Sequence, residues 1–188
     1  MSDFEFLFAL FGLLLGLSLA EVLGGLARAI QARMRPGSAV RIGWLTPLLG
    51  GFVLLDLLSF WGAAWSARAV VAVSGHSLMA VLLFASAYYL AAALVFPRDP
   101  DAQPELDDHF YRVRRIVIGV MMALLICQLG WYVSVPTLSA RLANPAPLAL
   151  TAVLVLLMVA ALLVRGKRAA RLVMLALVAR YLIVYVIR

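Results

Sequence analysis

The chain has 188 residues, of which 65% are hydrophobic and 13% charged, and a formal net charge of +7. A soluble domain is roughly half apolar and a quarter charged, and a fold of this length has too little interior to hide so much apolar surface from water. The single cysteine, Cys127, excludes an intrachain disulfide and an iron–sulfur cluster held by this chain alone.

Apolar runs long enough to span a bilayer recur along the whole sequence. They predict an all-α polytopic membrane protein, a bundle of six transmembrane helices forming one domain over 1–188. The basic residues fall in short loops between these runs. That is a topology signal, and no nucleic-acid partner is expected. The first run follows Met1-Ser2-Asp3-Phe4-Glu5, which is acidic where a cleavable signal is basic, so it is expected to stay as a span.

The first span is Phe4 to about Ala27. It carries one acid, Glu21, and small residues at four-residue spacing: Gly12, Gly16, Ala20 and Gly24. Such a stripe lets another helix approach closely, within the chain or from a second copy, and a homo-oligomer through this span is one expectation. In the loop that follows, Arg35-Pro36-Gly37-Ser38 predicts a turn. The second span, Ile42 to about Trp65, carries Asp56, with Ser59 three residues on along the same face.

The third span runs from about Val70 to Phe96. His76, in Ser74-Gly75-His76-Ser77, lies at its start and reads as a capping or interfacial residue. Tyr88 and Tyr89 read as interface aromatics near its far end. The loop Pro97 to Arg112 carries Asp99, Asp101, Glu105, Asp107, Asp108 and His109. Its acids are expected to balance Arg112, Arg114 and Arg115, and Asp107 or Asp108 to cap the next helix. The fourth span, Val113 to Val135, contains Gln128. The fifth is Pro147 to Val164. The sixth, Ala169 to Ile187, carries Arg180, Tyr181 and Tyr185.

Orientation follows from Lys and Arg. Twelve of the 16 basic residues lie in the first, third and fifth loops. The second and fourth loops hold only Arg68 and Arg141. The odd loops are therefore expected in the cytoplasm and both termini outside, as in a bacterial inner membrane. Trp61, Trp65, Trp131 and Tyr132 fall near the expected outer ends, and Trp44, Tyr88, Tyr89 and Tyr111 near the inner ones.

Glu21, Asp56 and Arg180 are the ionisable residues within spans, and each is costly in lipid unless it faces protein or water. Two acids and one arginine leave one acid without a counter-charge unless it binds a proton. This set reads as an ion-coupling site, with Ser59, Gln128 and Tyr181 as supporting polar groups. The bland alternative is an Arg180–Asp56 pair that fixes helix register, with Glu21 snorkelling to the cytoplasmic face. The two histidines fall on opposite sides of the membrane, so one chain cannot bring both to a metal or haem. No Gly-x-Ser-x-Gly, His-Glu-x-x-His or Walker A pattern is present. No catalytic residue, metal site or cofactor is expected.

The leading expectation is a small channel or transporter for protons or a small cation, rather than an enzyme. The main rival is a non-catalytic accessory or scaffolding subunit of a larger membrane complex. A lipid- or quinone-handling enzyme comes third.

Overall fold

A bilayer offers no water to the backbone, so long apolar runs fold as helices that satisfy it internally. The computed structural model describes residues 3–71, 73–103, 105–142 and 144–187. Its helices are α1 (Asp3–Met34), α2 (Leu45–Ser66), α3 (Gly75–Val95), α4 (Leu106–Ser134), α5 (Pro136–Leu142), α6 (Pro145–Leu163) and α7 (Lys167–Ile187). Six of them are long and apolar enough to cross a membrane. The seventh, α5, is a short turn of helix in the loop between the fourth and fifth spans, where no helix was expected. The side chain of Arg141, counted in the fourth loop, and all of Arg188 lie outside the described residues.

Prolines fix several helix ends. Phe96 and Val135 precede prolines and are extended, with φ −111° and −107°, so α3 and α4 stop there. Asn144 caps α6 by accepting from the Ala146 N–H at 3.2 Å, and Pro145 occupies the first turn, where no donor is needed. The turn expected at Arg35–Ser38 forms: Ser38 N–H donates to Arg35 O at 3.1 Å, with Gly37 at φ 76°.

The helix α2 lies centrally, touching α1, α3, α4 and α7; α6 touches α4 and α7 on the far side. Among the described residues α1 packs on α3 and α2, most extensively on α3. Its buried seam is Phe11, Leu15, Ser18, Val22, Gly25, Ala29 and Ala32, alternating in steps of four and three. That is the spacing of a helix–helix seam of the coiled-coil kind. The small-residue stripe lies beside this seam. Gly12 meets the Trp61 ring, but Gly16 and Ala20 are exposed. The close approach is made at Gly25, where an added Cβ would sit 2.6 Å from Phe96 Cβ. The buried Phe96 ring fills that space, between Gly25 of α1 and Gly50 of α2.

The end of the bundle bearing the basic loops is tied together by the acidic loop. Asp101 pairs with Arg35, and Glu105 with Arg41 at 3.9 Å. Lys167, at the start of α7, reaches Glu105 at 3.6 Å and Asp108 at 3.3 Å. Leu106 N–H donates to Arg41 O at 3.1 Å, and Thr46 Oγ1 donates to Leu106 O. The His109 ring nitrogens face Gln103 Oε1 at 2.9 Å and the Leu94 carbonyl at 3.2 Å. His109 is thus a buried residue in the first turn of α4, not a loop residue.

Asp107 does not cap its own helix. Its Oδ1 accepts from the backbone N–H of Trp44 at 3.1 Å and Leu45 at 2.9 Å, so it caps α2 from across the loop. The acids do balance positive charge, but the partners are Arg35, Arg41 and Lys167 rather than Arg112, Arg114 and Arg115.

Arg114 is spent differently. It is buried, stacks 4.8 Å from the Tyr111 ring centroid, and donates through Nη1 to Ala161 O at 3.1 Å and to Val164 O. It therefore caps the C-terminus of α6, where free carbonyls and the helix dipole favour a cation. Arg114→Met keeps the bulk and leaves those carbonyls unpaired. A loss of about 2 kcal/mol is expected in unfolding titrations in mixed micelles, with Arg114→Lys intermediate.

Candidate functional site

Asp56 sits at the midpoint of α2, about 16 Å along the helix from Leu45. Tyr88 lies about 10 Å from the α3 end on that same side, and Tyr181 about 21 Å along α7 from its start there. Helical side chains lean toward their own N-terminus. The α3 helix starts at the opposite end of the bundle and α7 at the basic end. Tyr88 therefore leans away from the basic end and Tyr181 toward it, and the two hydroxyls converge on Asp56.

Tyr88 Oη donates to Asp56 Oδ2, and Tyr181 Oη donates to Asp56 Oδ1. The tyrosines are 2% and 1% exposed, and Asp56 is partly buried between them. No cation pairs with the carboxyl among the described residues. Arg180, the candidate counter-charge, points elsewhere: Nη2 donates to Leu150 O of α6 at 3.1 Å, and its guanidinium lies 4.7 Å from the Tyr181 ring centroid. The register-fixing Arg180–Asp56 pair does not form. Arg180 instead joins α7 to α6 and braces the ring of Tyr181.

The other acid is provided for within its own helix. Arg28 Nη2 lies 3.3 Å from Glu21 Oε1, two turns away. The arginine reaches back over Gly24, whose missing side chain leaves its path clear. Glu21 and Arg28 are each partly accessible, at 30% and 42% of the side chain. No contact joins Glu21 to Asp56. Glu21→Gln is expected to change stability by less than about 1 kcal/mol, as for accessible ion pairs. It should also leave any ion flux near wild type in reconstituted vesicles.

Of the supporting groups, Tyr181 joins the Asp56 cluster. Ser59 is partly buried one turn from Asp56 and shares none of its hydrogen bonds. Gln128 lies apart, on the wall of a cleft of about 370 Å³ at the end away from the basic loops. Tyr185 is exposed.

Tyr88, which the sequence places with the interface aromatics, is instead buried and donates to Asp56. A signal was present: it shares a seam with Ala85, Ala92 and Val95, so it is the polar member of an otherwise small, apolar face. His76 is exposed at the start of α3, where Ser74 and Ser77 form the cap by accepting each other's backbone N–H at 3.1 and 2.8 Å. His109 lies at the other end of the bundle, so the histidines are separated as expected. Among the described residues no group of His, Cys, Asp or Glu has the makings of a metal site.

The chain finds no match among known family models, curated proteins or solved structures.

Proposed function

We propose that the chain is a small proton-conducting or proton-coupled membrane transporter in which Asp56 is the proton-binding group. One observation carries this reading. A carboxyl sits at mid-span with two buried tyrosine hydroxyls on it and, among the described residues, no cation paired to it. A charged side chain at the middle of a span costs roughly 3 kcal/mol even on insertion scales, and such residues mark ion and proton paths.

The chemistry suits a group that changes protonation. As a carboxylate, Asp56 accepts from both tyrosines, and charge-assisted bonds are the strong ones. As an acid, its O–H donates to one phenol oxygen while the other carboxyl oxygen still accepts. Turning a single tyrosine hydroxyl interconverts the two arrangements, so no helix has to move. Glu21, neutralised by Arg28, is a structural pair in this scheme. Arg180 tunes the field and steadies Tyr181.

Basic loops on one end support placing that end in the cytoplasm and both termini outside, in the orientation of an inner-membrane protein. The exposed Gly16 and Ala20 on α1 favour a second reading, a helix contact with a partner in a larger complex.

The test is proton flux in proteoliposomes, read with an internal pH dye under an imposed potential. Wild type is expected to conduct or to exchange protons for a cation. Asp56→Asn, checked for intact helices, is expected to be inactive. Folded wild type without flux under any gradient would leave the accessory-subunit reading.

A further inference from the structure

The end of the bundle away from the basic loops holds a cleft that the proton-binding site does not use. Among the described residues, the backbones of α1 and α4 do not approach each other closely. Between them, walled by α2 and α3, lies the space of about 370 Å³ noted above. Its volume is within the range of ligand pockets, roughly 300–1,000 Å³. Phe8, Phe11 and Trp131 line its sides. Phe60 and Phe84, stacked at 4.3 Å, line it on the side of Tyr88, which packs on both rings.

One wall residue does not suit an empty apolar space. Gln128 lines the cleft, is half-buried, and makes no hydrogen bond among the described residues. An amide facing lipid without a partner is costly, which favours an acceptor that can reach it. Gln128 lies one turn below Trp131 and Tyr132, residues of the kind that mark the headgroup level. One turn below the headgroups is the depth of the ester carbonyls of a bilayer.

We propose that this cleft binds one acyl chain of an ester lipid from the surrounding leaflet. The chain lies against Phe60 and Phe84, and the ester carbonyl accepts from the Gln128 amide. The site is independent of proton movement at Asp56 and stands or falls separately from it.

Cys127 is the only cysteine, is exposed, and lines the same cleft, so it reports on occupancy. Purified, delipidated full-length protein in detergent is labelled at Cys127 with an uncharged maleimide. Palmitoyl-oleoyl phosphatidylglycerol or palmitic acid is added at matched acyl concentration. The phospholipid is expected to slow labelling severalfold. Gln128→Leu should weaken that protection by roughly five- to tenfold in lipid concentration, the worth of one hydrogen bond. Ala80→Trp, which fills the cleft, should abolish protection by added lipid.

A photoreactive phosphatidylcholine with a mid-chain diazirine gives a second readout on wild type alone. Its adducts should concentrate on Phe84 and Val81. Labelling indifferent to lipid, protection unaffected by Gln128→Leu, or adducts spread evenly over the outer helix faces overturns the proposal. Protection by palmitic acid and not by the phospholipid overturns the ester assignment.

Discussion

Gly43→Ala is expected to destabilise the protein by about 2–4 kcal/mol, although it adds one methyl group in a loop. Gly43 has φ 63°, a left-handed backbone that costs a residue with a Cβ roughly 1–2 kcal/mol. The added Cβ would also stand 2.2 Å from Asp107 Oδ1, the atom that caps α2. Asp107 would have to withdraw, and losing an N-cap costs about 1–2 kcal/mol. Asp107→Ala alone should show only this second part. Because the clash acts through the cap, the double variant should be no less stable than Gly43→Ala. Denaturation in mixed detergent–dodecyl sulfate micelles, followed by circular dichroism, measures all three. Fully additive losses would show that the glycine and the aspartate act separately.

Removing the two phenol hydroxyls should silence the site without removing its acid. Tyr88→Phe and Tyr181→Phe each delete one hydrogen bond to Asp56, a bond to a chargeable group worth roughly 1.5–3 kcal/mol. Each is expected to lower proton flux about tenfold or more, since about 1.4 kcal/mol is a factor of ten. The double variant should match Asp56→Asn. Both rings keep their packing, Tyr88 beside Phe60 and Phe84, and Tyr181 beside Phe52, so the helices should still assemble. Full flux through the double variant would mean that the tyrosines only fill space.

The six spans, the loop turn and the separation of the histidines are legible in the sequence because they depend on local chemistry. Hydropathy sets the helices, prolines at 97 and 136 end two of them, and Gly37 permits the turn. Which face of a span is buried is much harder to read. In water the polar face betrays the apolar one, but lipid is as apolar as the protein interior. The evenly spaced small residues of α1 are therefore more conspicuous in the sequence than the buried seam beside them. The site was half legible for a related reason. A lone acid in a span signals cost, so Asp56 stands out, but its partners come from α3 and α7, and only packing brings them together. The acids of the long loop looked like a local match for the nearby arginines. In the fold they reach Arg35, Arg41, Lys167 and the start of α2, contacts set by which helix ends are neighbours.

The central claim is that Asp56 takes up and releases a proton in the middle of the bundle. Infrared difference spectroscopy of the reconstituted protein, recorded between acidic and neutral pH, tests it most directly. Subtracting the spectra of Asp56→Asn removes the exposed loop carboxyls, which titrate in both proteins. The account predicts a protonated-carboxyl C=O band present only in wild type and moved in frequency by Tyr88→Phe. No Asp56-dependent band at any pH where the helices remain intact would contradict it, and Asp56 would then be a fixed structural link between α2, α3 and α7.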